Sequence, residues 1–313
     1  MSRLWIGLSA VIVGADEDQP RVLATRREDS AFALPFGAFD PDQHRTLERG
    51  LRQWVTEQTG FQLGYAEQLY TFGDRDRETP EATLTDVPKD AHIISVGYLA
   101  LTPEEAPIEE GFSAKWRSWY AFFPWEDHRS GRPDMIDELI TPRLMTWAAG
   151  RETRQSRVRL AFGMDDAAWI EERVLERYEL LYEAGLVDEC ARDAGLPFSG
   201  PSLGRPMASD HRRILATAIG RLRGKLKYRP VVFELMGETF TLSALQRTVE
   251  AILGLKIHKQ NFRRALDRTG LVEGTGKMLA STGGRPAELF KFQREVLNQR
   301  MATGLSTPSL KQG

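Results

Sequence analysis

The sequence predicts an α/β protein in which a mixed-sheet sandwich precedes a winged helix-turn-helix domain. Three observations lead to this prediction. The first hundred residues have the order strand, strand, helix, strand, and residues 242–292 contain two helices joined by a short turn and followed by two strands. The two parts of the chain also carry opposite charge. At 313 residues, the chain is long enough for two domains.

The charge changes sign at about Gly204. Residues 1–204 contain 22 Lys and Arg against 36 Asp and Glu, a net charge of -14. Residues 205–313 contain 20 against 8, a net charge of +12. A strongly basic domain favours a polyanionic partner such as DNA. The alternative is an attraction between the two parts of one chain, because charge balance alone carries no specificity.

Composition excludes several classes of protein. No segment reaches the roughly 18 uninterrupted apolar residues of a membrane span, so no membrane association is expected. The apolar run near the N-terminus has no small-residue cleavage site, which argues against secretion. Cys190 is the only cysteine, which excludes an intramolecular disulfide and a cysteine-based zinc site. We therefore expect a cytoplasmic protein.

In the N-terminal part, apolar and β-branched runs predict strands at residues 4–13, 21–26 and 91–101. Residues 43–59 have apolar side chains at helical spacing, and Gly60 is a typical helix stop. The apolar face of this predicted helix contains Leu47, Leu51, Trp54 and Val55.

The first domain is expected at residues 1–200, with an aromatic and helical insertion from about residue 103. The aromatic run 116–125 is predicted to be a strand with aromatics on both faces, although a dimer seam or a lid is also open. Helices at 135–149 and 166–184 would serve packing or dimerisation. Three Pro and two Gly within residues 196–207 predict a linker.

The second domain is expected at residues 205–300. Asp210 is placed to cap its first helix, and Gly254 and Gly270 are placed to end its next two helices. The predicted elements are helices at 210–226, 242–253 and 259–270, a short strand at 231–236, two strands within 271–292 and a flexible tail at 301–313.

The helix from Lys259 is expected to bind DNA in the major groove. Arg can pair there with guanine and Asn with adenine, while Lys and His can reach phosphates. Arg285, at the glycine-rich tip between the two strands, can reach a minor groove or a phosphate. A solvated basic surface is the alternative. The candidate DNA-binding residues are Lys256, His258, Lys259, Asn261, Arg263, Arg264 and Arg285, with a base contact assigned to Arg263 and with Arg264 about 100° further round the helix.

The segment LPFGAFDPDQHRTLERGLRQWVTEQTGF, residues 34–61, resembles the Nudix box. That family's metal site requires three carboxylates on one helix and an arginine that orients them. Aligned from Gly60, the carboxylate positions hold Trp54, Glu57 and Gln58, and the arginine position holds Gln53. One carboxylate of three remains, and the segment is two residues too long. We therefore expect no metal site and no hydrolysis.

This degenerate box occurs with EQLYTFGDRDR (67–77), DHRRILATAIGRLRGKL, KQNFRRAL and GRPAELFKF. The combination is similar to the Nudix-related transcriptional regulators of NAD metabolism. The resemblance is weakest at 103–204, where the extra length is more like the subgroup that represses de novo NAD synthesis genes. It implies a homodimeric repressor without a catalytic cofactor, whose Nudix-like domain senses ADP-ribose, NAD or ATP and whose winged helices bind a palindromic operator.

A nucleotide pocket without metal ligands would leave its ligand intact, which suits a sensor. Phe36, Phe72 and Tyr98 could instead be core residues, and Arg26 could pair with an acidic neighbour. The alternative function is a Nudix pyrophosphohydrolase with a variant box and a C-terminal accessory binding module. The candidate nucleotide-binding residues are Arg26, Arg27, Phe36, Glu57, Phe72, Asp74 and Tyr98.

Overall fold

The computed structural model describes residues 4–16, 18–26, 31–74, 92–103, 114–227, 229–279 and 286–299. Its N-terminal strands are β1 (Leu4–Ala15), β2 (Pro20–Thr25), β3 (Phe36–Ala38), β4 (Tyr65–Phe72), β5 (His92–Leu101) and β6 (Ala114–Ser118). They form one mixed sheet in the order β4-β5-β1-β2-β6, with β3 also paired to β1. β1 and β5 are parallel and the other pairs are antiparallel. The three predicted strands are present, whereas β3 and β4 were not predicted.

A helix covers each face of this sheet. α1 (Leu47–Thr59) begins after the cap residue Thr46 and ends at Gly60, whose φ of 68° lies in the left-handed region. It packs on one face, while α6 (His211–Leu226) packs against β1, β4 and β5 on the other. The arrangement is the α/β sandwich that the sequence predicts.

The aromatic run 116–125 does not form one strand. β6 ends at Ser118, and two short 3-10 turns follow, at Trp119–Ala121 and Pro124–Glu126. The strand prediction is wrong beyond Ser118, because Pro124 has no N–H group to donate to a strand ladder and most of the side chains after Ser118 are buried, on all sides of the chain. The turns instead bury four aromatic side chains completely, those of Trp119, Phe122, Phe123 and Trp125.

The insertion continues as α2 (Thr141–Trp147), α3 (Glu152–Phe162), α4 (Val174–Glu183) and α5 (Asp188–Asp193). A π-helical turn at Ile136–Ile140 leads into α2, as part of the helix expected at 135–149. The helix expected at 166–184 is wrong over 166–173, which form turns. There the Arg177 guanidinium donates to the carbonyl oxygens of Ile170 and Glu171, which are therefore satisfied without a helix.

The second part of the predicted linker, residues 203–207, is packed, whereas most of residues 196–202 are exposed. Within residues 203–207, which we call the strap, Leu203 and Met207 are buried. Met207 N donates to Glu189 Oε1 at 3.0 Å, and a side chain at Gly204 would meet Phe122 O at 2.5 Å. Glycine and proline here shape a close turn against the insertion. The strap and α6 therefore pack with the sheet, although the sequence placed them at the start of a second domain.

The C-terminal part contains α7 (Leu242–Leu253), α8 (Lys259–Thr269), β7 (Val272–Leu279), β8 (Ala287–Phe292) and α9 (Arg294–Gln299). β7 and β8 are antiparallel, so the predicted helix-turn-helix and wing are present. The strand expected at 231–236 is wrong, because Val231–Leu235 is a buried 3-10 helix; a short apolar run does not distinguish the two. None of the helices in the described ranges combines the length and apolar character of a membrane span.

Candidate functional site

α8 turns a polar face to solvent. Phe262 and Leu266 point into the domain core, at 7% and 0% exposure. The helix ends at Gly270, whose φ of 58° permits the reversal into β7. Four of the predicted DNA-binding residues on this helix are exposed, namely Lys259, Asn261, Arg263 and Arg264.

The rotation of α8 about its axis distinguishes among these exposed residues. At 100° per residue, Arg264 lies about 180° from the midpoint between Phe262 and Leu266, whereas Arg263 lies only about 80° from it. Gln260 and Arg268, which were not among the predicted DNA-binding residues, lie on either side of Arg264 and are also exposed. Arg264 rather than Arg263 therefore lies at the centre of the exposed face.

The turn between α7 and α8 is fixed by one buried carboxylate. Glu250 Oε1 accepts hydrogen bonds from Ile257 N at 3.0 Å and from Gln246 Nε2 at 2.9 Å. Its Oε2 lies 3.0 Å from Lys256 Nζ. Burial raises the pKa of Glu250, but the hydrogen bonds from Gln246, Ile257 and Lys256 hold this pKa below its usual value. Lys256 thus stabilises the turn, while its side chain stays 65% exposed; His258, at the start of α8, is exposed.

The wing strands present a mixed surface. β7 and β8 shift register between Gly274 and Met278, and Met278 and Leu279 are 58% and 52% exposed. Lys277 is exposed beside them. The tip that contains Arg285 lies outside the described residues, so the role assigned to Arg285 stays a prediction.

Two of the positions that the sequence aligns with Nudix carboxylates hold side chains that bind β3 to α1. Trp54 Nε1 donates to Ala38 O at 2.8 Å, and its ring covers Gly37 so closely that a Cβ there would lie 2.1 Å from it. Gln58 accepts from Phe36 N at 3.0 Å and donates to Phe36 O at 2.5 Å. Both residues are therefore engaged with the backbone of β3.

The remaining carboxylate of the box points outward. Glu57 is exposed and accepts a hydrogen bond from Gln53 Nε2 at 2.8 Å. Among the described residues, no group of three or more histidine, cysteine, aspartate or glutamate side chains could hold a metal ion. Glu57 and Gln53 form a surface pair in this arrangement.

The aromatic candidates of the nucleotide pocket lie in the core. Phe36, Phe72 and Tyr98 are 2%, 2% and 5% exposed, which favours the packing alternative left open by the sequence. Asp74 pairs with Arg213 of α6, so it links the sheet to that helix. Their side chains are thus not arranged to stack on a base.

One of the two basic candidates, Arg26, lies at the end of β2. Arg26 is exposed, and its guanidinium carbon lies 5.1 Å from the centroid of the Phe32 ring. Arg27 lies outside the described residues, and its role stays a prediction.

Residues of the insertion and of α6 form hydrogen bonds with the end of α7. The last four carbonyl groups of a helix lack partners within it. In α7, Ala251 O accepts from the Tyr120 hydroxyl at 2.7 Å, and Ile252 O accepts from Arg223 Nε at 2.9 Å. His128 N donates to Gly254 O at 2.8 Å. Groups of the insertion and of α6 thus bind two of the last four carbonyl groups of α7, and the carbonyl group of the cap residue Gly254.

A buried ion network supports this contact. Glu126 is 1% exposed, with Oε1 2.5 Å from Arg177 Nε and Oε2 2.6 Å from Arg223 Nη1. Burial raises the pKa of Glu126, but the two guanidinium groups outweigh it and hold the pKa below its usual value. The network joins the 3-10 turn Pro124–Glu126 to α4 and α6, next to the end of α7.

Fold and site together define a class of protein: a Nudix-like sandwich joined by buried contacts to a winged helix. Residues 232–292 match the family of NrtR DNA-binding winged helix domains. The ADPR responsive transcriptional repressor NtrR of Acinetobacter baylyi is 40% identical over 86 residues, which are 28% of this chain and 34% of the relative. The chain thus spans about a third of the length of the curated relative it matches.

The solved structures extend this likeness to the whole fold. Shewanella oneidensis NrtR bound to a 27mer DNA superimposes with a TM-score of 0.56 at 21% identity, over 94% of this chain and 95% of that chain. A MutT/nudix family protein from Enterococcus faecalis superimposes with a TM-score of 0.53 at 18% identity, over 94% and 88%. These findings confirm the predicted fold and the resemblance to Nudix-related transcriptional regulators.

Proposed function

We propose that this protein is a DNA-binding repressor of NAD biosynthesis genes that responds to ADP-ribose. The observation that carries the proposal is the exposed basic face of α8 on a winged helix of the NrtR type. Gln260, Arg264 and Arg268 line that face, opposite the core residues Phe262 and Leu266. A guanidinium in the major groove can bind guanine through two hydrogen bonds.

The choice of effector rests on the relative. The Acinetobacter repressor is named as responsive to ADPR, and its similarity to this chain motivates ADP-ribose ahead of NAD or ATP. A sensor has to keep its ligand intact, and Trp54 and Gln58 occupy the positions where hydrolysis would require carboxylates. We therefore propose a regulator rather than a pyrophosphohydrolase.

The operator is proposed to be palindromic and to bind a homodimer. Two symmetric recognition helices reach successive major grooves when they are one helical turn apart, about 34 Å. The strong net charge of +12 in residues 205–313 supports contacts to several phosphates on each half-site.

Fluorescence anisotropy with the full chain tests the function. An operator selected from random DNA should bind at nanomolar concentration in physiological salt, and unrelated DNA at least about a thousandfold more weakly. ADP-ribose should change the operator affinity, while ribose should not. Equal binding to all DNA, or an operator affinity that ADP-ribose leaves unchanged, contradicts the proposal.

A further inference from the structure

Three arginine side chains converge on one phenylalanine ring. The guanidinium carbons of Arg26, Arg117 and Arg205 lie 5.1, 5.3 and 5.6 Å from the centroid of Phe32. They come from the end of β2, from β6 and from the strap. The fold assembles this group, which we call the arginine trio, from positions far apart in the sequence.

The guanidinium groups of the trio repel one another. Because each guanidinium lies within 5.6 Å of one point, every pair lies within about 11 Å, close to the Debye length at 0.1 M salt. An aromatic ring attracts a nearby cation only weakly, and here three cations share one ring. The surrounding domain carries a net charge of -14, so paired arginines would be the expected arrangement.

Two members of the trio lack such partners. Within the described part of the chain, no carboxylate lies in ion-pair distance of Arg117 or Arg205, and Arg117 Nε is buried without a hydrogen-bond partner. Other arginines of the same domain are paired: Arg212 lies 3.1 Å from Glu189, and Arg177 lies 2.5 Å from Glu126. The trio therefore differs from the structural arginines around it.

Backbone contacts hold the strap, which carries Arg205, against the segment that carries Phe32. Arg205 N donates to Ala121 O at 2.8 Å, and Ala208 N donates to Phe32 O at 2.7 Å. Phe32 and Met207 also form a β-bridge. These contacts fix the backbone from which Phe32 and Arg205 extend, so the main chain needs no further ordering when an anion binds.

We propose that the arginine trio binds the phosphate groups of a nucleoside diphosphate ligand, with Arg117 and Arg205 as the principal contacts. The proposal rests on the proposed function only for the identity of that ligand as ADP-ribose. Guanidinium groups bind phosphate oxygens through paired hydrogen bonds, and the diphosphate charge offsets the repulsion within the trio. The strap that carries Arg205 leads directly into α6, which contacts the end of α7 through Arg223. Ligand binding is thereby connected to the helix-turn-helix.

Calorimetry on the full chain without DNA tests the site. Wild type should bind ADP-ribose and inorganic pyrophosphate but not ribose. The double variant Arg117→Gln/Arg205→Gln should bind both phosphate ligands about tenfold or more weakly, since charged hydrogen bonds are lost. Its melting temperature without ligand should not fall, because repulsion is relieved. Arg154→Gln is the matched control, since the guanidinium carbon of Arg154, in α3, lies 4.1 Å from the centroid of a different ring, that of Trp147 at the end of α2.

The outcomes separate the site from the proposed function. Wild-type affinity for both ligands in the double variant overturns the site, as does failure of the wild type to bind either ligand. Loss of DNA affinity in the double variant without any ligand also overturns it, because the trio would then contact the DNA backbone. If pyrophosphate binding depends on the trio while ADP-ribose leaves operator affinity unchanged, the phosphate-binding site is supported and the effector role of ADP-ribose is contradicted.

Discussion

The Tyr120 hydroxyl donates a 2.7 Å hydrogen bond to the carbonyl oxygen of Ala251, across 131 residues of sequence. Tyr120 belongs to the aromatic run, and Ala251 lies in the last turn of α7. Burial raises the pKa of Tyr120, so the hydroxyl remains the donor. The aromatic run thus contacts the first helix of the winged helix. The sequence had left open whether the run was a strand, a lid or a dimer seam.

Tyr120→Phe should lower the free energy of unfolding by about 1–3 kcal/mol, because Ala251 O would be buried without a partner. Urea denaturation at neutral pH measures the change. Tyr70→Phe is the control, since Tyr70 is 60% exposed, and it should alter stability by less than about 0.5 kcal/mol. Equal stability of the two variants would contradict a stabilising role for the hydrogen bond between Tyr120 and Ala251.

Glu126→Gln should lower the free energy of unfolding by about 3–5 kcal/mol, more than Tyr120→Phe does. The substitution leaves Arg177 and Arg223 buried without their carboxylate. The measurement is the urea midpoint, together with the yield of folded protein. Glu138→Gln, at an exposed position, is the control. A Glu126→Gln protein with the midpoint of wild type would show that the network does not support the fold.

Stability should fall as the pH is lowered from about 6.5. Burial lowers the pKa of His211 to about 3, with Arg192 adding to the shift, and burial lowers the pKa of His128 to about 4. Between pH 6.5 and these values the unfolded chain binds protons that the folded chain does not, so unfolding is favoured. For the fully buried His211 the loss is about 1.4 kcal/mol per pH unit.

Urea titrations at pH 7.5 and pH 5 check this prediction. His211→Asn keeps an acceptor for Leu34 N, which His211 Nδ1 provides at 3.1 Å, and should flatten the dependence by about 2 kcal/mol over that range. His258→Asn, at an exposed position, should retain the wild-type dependence. A slope identical in all three proteins would exclude His211 as the cause.

In the recognition helix, Arg264→Ala should weaken operator binding by about 1–3 kcal/mol, and more than Arg263→Ala does. Binding to unrelated DNA should change little, because only the correct base offers the paired contact. Salt titration distinguishes Lys259→Ala, which should lower the slope of log K against log salt by about 1 per lost phosphate contact. If Arg263→Ala is the more damaging variant, the rotation of α8 assigned above is wrong.

Gln58→Glu should not create a metal site. The new carboxylate would lose the donor to Phe36 O and lower the free energy of unfolding by about 1–3 kcal/mol. Neither this variant nor wild type should hydrolyse ADP-ribose with Mg²⁺ faster than about 0.1 per second. Glu57→Gln, on the exposed side of α1, serves as the stability control. Faster turnover by wild type would favour the pyrophosphohydrolase.

Local signals in the sequence were reliable where backbone conformation is decided locally. Gly60, Gly254 and Gly270 each end a helix in the left-handed conformation, at φ of 68°, 72° and 58°. The spacing of Phe262 and Leu266 likewise identified the buried side of α8. Helix ends and amphipathic faces are properties of a few neighbouring residues, so the sequence contains them.

Long-range contacts decided what the sequence could not show. Gly- and Pro-rich composition indicated a linker at 196–207, but Glu189 and Arg212 hold the strap in place. Arg117 and Arg205 have no local motif, and only the fold places both beside Phe32. The burial of Phe36, Phe72 and Tyr98 depends on which elements cover the sheet, which a pattern of residues does not specify.

Helix α6 is one continuous helix that contacts the sheet domain near its first residue and the end of α7 near its last turn. At 1.5 Å per residue, about 18 Å separate His211, which accepts from Leu34 N, and Arg223, which donates to Ile252 O. A tilt of only about 5° around His211 would displace Arg223 by about 1.5 Å over this length. Such a displacement is half the length of a hydrogen bond, so a movement too small to disturb the packing at one end of α6 would disconnect the other end from α7.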